Sequence, residues 1–528
     1  MLSLQRISYI HPNKDLLFSN ISLTLNHHQK IALIGNNGVG KSTLLQIIAK
    51  GISPSDGQVI VESQPYYIPQ IFGQFNHLSI AEALGVERKL TAFREILDGK
   101  ASEKNLLALN DDWTIEDRVN EALCYWQLSD YELTEKLKNL SGGQKTKVFL
   151  AGISIHQPDL VLLDEPSNHL DTDARELLYG YITSTSNTLV IVSHDRKLLN
   201  LVDTVCELSS KGIRSYGGNY DFYASQKQLE QNALNQDVKS TEKALRKAKE
   251  KERETVEREQ KLDARGKKKQ EKAGVATIMM NTLRNKAEKS TSKIKNVHTD
   301  KIGRISQDLQ DLRKELPKMD KMKFGFENTA IHKGKVLVTA TDINFSYQDI
   351  LLWKTNLNFQ ITSGERIALR GANGSGKTTL IKLILGDLNP HTGTLIKAES
   401  KAVYIDQDYS LIENSLNVYE QAEQFNNSAL EEHEIKIRLN RFLFPKEDWD
   451  KSCRSLSGGE RMRLMLCCLT ISSQSPDMII LDEPTNNLDI QNIEILTDAI
   501  NEYQGTVLVV SHDEPFLEQV KIELTIQL

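Results

Sequence analysis

Long apolar runs are absent from this 528-residue chain. No stretch approaches the roughly 18 uninterrupted apolar residues of a spanning helix, which excludes a membrane-embedded role for these residues. The N-terminal MLSLQRISYIHPNKD has no basic region ahead of a long apolar run, so no secretion signal is expected. Cysteine is scarce. Cys124, Cys206, Cys453, Cys467 and Cys468 form no C-x-x-C spacing and no Cys/His pattern. That argues against zinc or iron–sulfur chemistry and fits reduced, buried thiols in a cytoplasmic protein.

A single sign of charge is also lacking, because the net charge of −6 conceals an uneven distribution. Residues 226–323 hold 27 Lys+Arg against 16 Asp+Glu, while the remainder is acidic. An acidic body with one basic segment suggests a polyanionic partner for that segment, nucleic acid first.

The chain repeats itself. Two segments, beginning near Leu2 and Val336, carry the same motifs in the same order. Each opens with an aromatic in a strand-like run, Tyr9 and Tyr347. An apolar strand, a glycine-rich loop and a helix follow, IALIGNNGVGKSTLLQII at 31–48 and IALRGANGSGKTTLIKLI at 367–384. A short β-like run then ends in Gln70 or Gln407. LSGGQ (140–144) and LSGGE (456–460) come next, then VLLDEPSNHLD (161–171) and IILDEPTNNLD (479–489), and lastly VSHD at 192–195 and 510–513. Strands alternating with helices predict an α/β fold with a mostly parallel sheet and phosphates at its carboxyl edge.

Between the repeats, few aromatics and no proline before Pro317 interrupt a dense run of charge. Ile302, Ile305, Leu309, Leu312 and Leu316 recur at three- and four-residue steps, and Leu234, Val238, Thr241 and Leu245 give a weaker stripe. A solvated tether would not need such stripes. The pattern predicts two antiparallel helices joined by a basic turn at Arg265, Lys267, Lys268, Lys269 and Lys272, with the apolar GVATIMM (274–280) at the tip. Helices of about 35–40 residues would reach roughly 50–60 Å. The expected domains are 1–221, 222–323 and 324–528.

Glycines in Gly35-Asn36-Asn37-Gly38-Val39-Gly40-Lys41-Ser42-Thr43 and Gly371-Ala372-Asn373-Gly374-Ser375-Gly376-Lys377-Thr378-Thr379 let successive N–H groups turn toward phosphates, and each lysine adds a point charge. Ser42 and Thr378 can each offer a hydroxyl to Mg²⁺, and the following helix presents its positive end to the anion. Asp164 and Asp482 end four-residue apolar runs, where a carboxylate can hold Mg²⁺ directly or through water. Glu165 and Glu483 are the candidate bases for the attacking water. His194 and His512 follow β-like runs and are candidate contacts of the γ-phosphate, and Gln70 and Gln407 are candidate sensors of metal and water.

This order of motifs resembles the ATP-binding cassette superfamily over nearly everything outside the linker. In that family two cassettes pair head to tail, so the serine-glycine motif of one caps the ATP of the other. The resemblance therefore implies two P-loop cassettes, each with a helical subdomain, paired within one monomer. One site would hold Tyr9, Lys41, Ser42, Gln70, Asp164, Glu165 and His194, closed by the motif Ser457, Gly458, Gly459 and Glu460. The other would hold Tyr347, Lys377, Thr378, Gln407, Asp482, Glu483 and His512, closed by Ser141, Gly142, Gly143 and Gln144. Both are expected to hydrolyse ATP with Mg²⁺.

Two cassettes, no membrane segment and a charged helical linker resemble the ABC-F branch, whose members act on ribosomes, the linker reaching the P-site tRNA and peptidyl-transferase region. Ser167 stands where that branch usually has threonine, and Asn487 where it has histidine. The sequence runs only 16 residues past His512, so a DNA-binding extension like that of some relatives is not expected. Gln70 stands 71 positions before Ser141, but Gln407 only 50 before Ser457. The surplus, about 81–116, resembles the arm of housekeeping members rather than of antibiotic-protection members. The rival readings are a transporter motor, which seldom carries a long basic hairpin, and a DNA-repair ATPase, in which a coil usually splits one cassette.

Overall fold

The computed structural model describes residues 1–209, 212–273, 296–313, 334–427, 429–472 and 476–528. Contacts divide the chain into two units, Met1–Asp221 with Met322–Leu528, and Phe222–Lys321.

In the first unit each repeat builds a parallel sheet. One runs Tyr66–Ile68, Leu160–Asp164, Thr188–Val192, Lys30–Ile34, Thr204–Ser209 and Gly212–Tyr216, and only the last pairing is antiparallel. The other runs Ala402–Ile405, Met478–Asp482, Thr506–Val510, Arg366–Arg370 and Leu524–Gln527, parallel throughout. The central strands are apolar in nearly every position because helices cover both faces of such a sheet. Leu160–Asp164 and Thr188–Val192 are buried along their whole length.

Each cassette adds a three-stranded antiparallel sheet, Leu16–Leu25, Leu2–Ile10 and Asp56–Val61 in the first, and Leu357–Thr362, Val336–Asn344 and Thr392–Lys397 in the second. The motif pattern did not announce these sheets, since their residues alternate between buried and exposed without any chemical signature. Their inner faces join the strands and the phosphate-loop helix in one core per cassette, Leu2, Ile7, Phe18 and Leu44 in the first, and Leu337, Ile343, Trp353 and Leu380 in the second.

The surplus in the first cassette folds as the helices Ile80–Ala83, Glu87–Leu97 and Glu103–Leu109, and Ile115–Tyr125 begins as it ends. Lys89 and Arg118 both reach Asp112 Oδ2, at 2.7 and 2.8 Å.

Helix Gly142–His156 carries the first serine-glycine motif at its start. Gly152 lets it lie against Tyr66, in the strand that leads to Gln70, and the Tyr66 hydroxyl donates to Phe149 O at 3.0 Å. A methyl group at position 152 would overlap that hydroxyl. Gly152→Ala should therefore destabilise the chain by about 1–3 kcal/mol. A lower urea midpoint at unchanged slope, partly restored by Tyr66→Phe, would register it.

In the second unit a single helix, Tyr220–Ala273, runs 54 residues, about 80 Å. It corrects the expected turn. The backbone stays helical through Arg265, Gly266, Lys267, Lys268, Lys269 and Lys272. One interior glycine costs roughly 0.5–1 kcal/mol against alanine, too little to end a helix among such strong formers. GVATIMM and Leu316 lie outside the described residues. Helix 296–313 runs back along the long one: Arg313 Nη2 donates to Glu242 Oε1 at 2.6 Å, and Val238 and Leu309 are buried. The described parts of the two stripes thus lie side by side and antiparallel, Arg313 beside Glu242 and Leu309 sharing a groove with Leu245 and Lys249.

Candidate active sites

In both cassettes the glycine-rich loop leaves the sheet and enters a helix at a left-handed glycine, Gly40 with φ 100° and Gly376 with φ 92°. Lys41 Nζ donates to the carbonyls of Gly35 at 2.6 Å and Asn36 at 3.3 Å, and Lys377 Nζ to those of Gly371 at 2.7 Å and Ala372 at 3.1 Å. Each lysine thus stays beside its own loop. Burial lowers the pKa of both, opposed by Glu165 for Lys41 and by Glu483 for Lys377.

Asp164 and Asp482 close their strands as expected. Asp164 Oδ2 accepts from Tyr67 Oη at 3.2 Å, and burial raises the pKa of Asp164 against the nearby Ser42 hydroxyl, Tyr67 and Lys41. Asp482 Oδ2 accepts from Tyr404 Oη at 2.9 Å; burial raises its pKa, opposed by Tyr404, Lys377 and the nearby Thr378 hydroxyl.

The glutamates that follow are held in backbone that non-glycine residues avoid, Glu165 at φ 51° and Glu483 at φ 47°. Left-handed backbone costs such residues about 1–2 kcal/mol. Two main-chain bonds fix it, Glu165 N to Val192 O and Glu483 N to Val510 O, both 2.8 Å. Strain repeated at matched positions marks function more often than accident. Each carboxylate faces a histidine from the neighbouring strand end. Glu165 Oε1 lies 3.4 Å from His194 Nε2, and Glu483 Oε1 3.4 Å from His512 Nε2.

Burial dominates the electrostatics of both pairs. It pushes the Glu165 carboxyl well up against the pull of Lys41, and that of Glu483 up to about 7 against Arg175 and Lys377. It also drives His194 far down and His512 down to about 4, so both imidazoles are neutral at pH 7.

The cassettes meet at these loops. A cavity of about 410 Å³ is lined by Lys41, Ser42, Gln70, Asp164, Glu165 and His194 of one cassette and by Ser457 and Asn487 of the other. Asn37, Gly38, Gly40 and Thr43 complete its loop wall. Reciprocal bonds join the two halves: Asn37 Nδ2 donates to Asn487 O, and Asn373 Nδ2 to His169 O, both at 3.0 Å. His169 and Asn487 are again left-handed, at φ 63° and 62°. Asn37 N also donates to Asp489 Oδ2 at 2.9 Å, and Gln70 Nε2 to Asn487 Oδ1 at 3.2 Å.

Other predicted residues are placed differently. Tyr9 packs on Phe18 and edge-on to His11, and it is His11 and Leu17 that line the cavity. Tyr347 is half exposed, its hydroxyl 3.2 Å from Thr379 Oγ1. Gln407 follows its strand by two residues. Ser141 with Gln144, and Ser457 with Glu460, form capping boxes at their helix starts. Gln144 also bonds Tyr131, and Glu460 takes Lys451 Nζ at 2.7 Å, so both side chains serve their own cassette. Gly142 faces the His169 ring. A Cβ on Gly143 would come within 2.5 Å of His169 O and 3.3 Å of Asn373 Nδ2, so only glycine fits that junction. Gly374 has open space beside it, and Gly458 and Gly459 lie against Asn487 and Asn492.

The sequence reading missed His11 and the helix-start residues Asp489, Thr172 and Arg175. A signal existed for Asp489, since an aspartate just before a helix caps it, here by accepting from Asn492 N at 2.8 Å.

Comparison with known proteins agrees with this geometry. The family described as ABC transporter matches residues 18–168 and 354–486. The putative ATP-binding protein YdiF of Bacillus subtilis is 32% identical, over 96% of this chain and 77% of its own length. ABC transporter F family member 5 of Arabidopsis thaliana is 29% identical, over 96% and 72%. The archaeal ribosome recycling factor aABCE1, solved in complex with the ribosomal stalk protein aP1, shares the fold with a TM-score of 0.60 at 19% identity, over 98% of this chain and 86% of that one. Among the described residues no helix is long and apolar enough to cross a membrane. Paired phosphate loops, strand-end Asp-Glu pairs and the family match converge: this chain belongs to the ATP-binding cassette family, in its ABC-F branch, and is an ATP hydrolase.

Proposed function

We propose that ATP binds at two composite sites, clamps the cassettes together, and so sets the linker hairpin on a ribosome, which hydrolysis then releases. The observation that supports the clamp is the cavity shared by Lys41, Asp164 and Glu165 with Ser457 of the opposite cassette. In this reading residues 1–221 and 324–528 are the motor domains and 222–323 the effector.

The residues suit Mg²⁺ beside the phosphates. Asp164 Oδ1 is buried without a hydrogen-bond partner among the described residues, and with the nearby Ser42 hydroxyl it makes an all-oxygen donor set appropriate to a hard cation. Ser42, Gln70 and Asp164, and Thr378, Gln407 and Asp482, would hold it. Bound there, the ion neutralises charge on the phosphate oxygens. The chain's own groups do the rest. The loop N–H groups and the lysine fix the phosphates. Glu165 and Glu483 orient the attacking water and take its proton, and the neutral His194 and His512, 3.4 Å from those carboxylates, contact the γ-phosphate. Carboxylates lifted by burial are stronger bases than exposed ones.

The charge of the linker supports ribosomal RNA as the partner. A helix about 80 Å long with a surplus of cations can follow phosphates across a large surface. The relative named a ribosome recycling factor adds support through its fold. Placement near the P-site tRNA and peptidyl-transferase region, a cytoplasmic location and a monomeric state belong to the same reading. The inserted helices Glu87–Leu97 and Glu103–Leu109 favour a general translation role over antibiotic protection.

Co-sedimentation of the Glu165→Gln/Glu483→Gln chain with purified ribosomes tests this. We expect pelleting with ATP, little without nucleotide, and a steep loss with salt. Equal pelleting in both conditions would remove the ATP clamp from the reading, and none in either would remove the ribosome.

A further inference from the structure

The two ATP sites differ in what the opposite cassette lends them. Helix Thr172–Ser184 of the first cassette begins beside His512 of the second. Thr172 Oγ1 lies 3.0 Å from His512 Nδ1, and Arg175 Nη1 donates to the main-chain oxygen of His512 at 3.4 Å. Three residues apart, the two side chains stand on one face of the helix. Arg175 is held from behind. Its Nε donates to Leu170 O at 3.1 Å, its Nη1 lies 3.9 Å from Asp195 Oδ2, and only 9% of the residue is exposed. Asp195 is itself fixed by the Tyr179 hydroxyl at 2.5 Å.

Repeat symmetry puts Ile490 and Ile493 at the matching places in the second cassette, since Asp171 corresponds to Asp489. Neither isoleucine carries a side-chain donor or acceptor. His194 accordingly has a buried Nδ1 with no hydrogen-bond partner among the described residues, whereas the same atom of His512 meets Thr172. Both rings turn Nε2 to their glutamate at the same 3.4 Å.

We propose that Thr172 and Arg175 are positioning residues for the second ATP site, clamping His512 by ring and by main chain from the opposite cassette, while the first site lacks this clamp. Hydrolysis at the second site then depends on how the first cassette is seated, and the first site has no reciprocal dependence through this contact. The inference rests on the composite-site reading and adds a direction to it.

Single-site chains provide the test. Glu165→Gln leaves hydrolysis to the second site, and Glu483→Gln leaves it to the first. Thr172→Val, nearly isosteric, removes only the hydroxyl, and Arg175→Ala removes the main-chain donor. In the Glu165→Gln chain either change should lower kcat by about 10–100-fold. KM for ATP should stay within about two-fold, the signature of lost positioning rather than lost binding. Arg175→Lys should recover part of the loss. In the Glu483→Gln chain the same changes should leave kcat within about two-fold. Equal losses in both chains, a raised KM without a fall in kcat, or no loss would overturn the proposal. Should Arg175→Ala fail to fold, Thr172→Val decides alone. If both single-site parents are inactive before any second change, the assignment of Glu165 and Glu483 as independent bases falls, and this inference with it.

Discussion

The Glu165→Gln/Glu483→Gln chain is expected to hydrolyse ATP about 10²–10³-fold more slowly than the parent while still binding it. Glutamine keeps the volume and the main-chain bonds to Val192 and Val510 that hold these positions left-handed, so the loops should keep their shape. What disappears is the acceptor for the water's proton, which stands 3.4 Å from His194 and His512. The lysines, the loop N–H groups and the opposing serine motifs remain to hold nucleotide. Phosphate release and equilibrium binding of labelled ATP separate the two quantities. Hydrolysis within a few-fold of the parent would place the base elsewhere.

Gly40→Ala should damage the first site far more than Gly38→Ala, two positions away. Both glycines are left-handed, at φ 100° and 81°, which costs alanine about 1–2 kcal/mol in either place. At Gly38 a Cβ meets nothing within 4 Å. At Gly40 it would stand 2.7 Å from Leu17 Cδ2 and 2.8 Å from the buried Phe18 ring. Overpacking adds about 1–3 kcal/mol there, for a total of about 2–5 kcal/mol. Because the loop sits on the first core, the change should lower both the urea midpoint and the ATP affinity of that site. Equal effects at the two glycines would show that backbone strain alone governs the loop. Gly376 is confined similarly by Leu352 and by Trp353, whose indole donates to Ser375 O at 2.9 Å.

Much of this was legible in the sequence because phosphate chemistry tolerates few residue types. Glycines at fixed spacing, a lysine entering a helix and an Asp-Glu pair after four apolar residues predicted the parallel sheets and the strand-end carboxylates. The antiparallel sheets were legible only as strand-like runs around Tyr9 and Tyr347, since the pairing of Leu2–Ile10 with its two neighbours leaves no chemical signature. The basic run was expected at a turn, yet helix continues through it because its Lys, Arg, Glu and Ala residues favour helix by more than the one glycine at 266 costs. Contacts between cassettes lay beyond local pattern altogether. Asn37 and Asn373 read as members of their own loops, yet their side-chain amides bond the opposite cassette. Thr172 and Arg175 carried no signal except their mismatch with Ile490 and Ile493 in an otherwise matched repeat.

The bond from Asn37 to Asp489 spans 452 positions of chain. At about 5–20 residues per second, synthesis takes roughly 20–90 s to cross that interval. The core around Leu2, Phe18 and Leu208 draws only on the first cassette and can close long before then. A nascent chain therefore carries a folded first cassette and an exposed phosphate loop without Ser457, Asn487 or Asp489 to complete the site. In the composite-site reading the first site is incomplete until Asp489 has been made, so a nascent chain that stops short of it cannot hydrolyse ATP there.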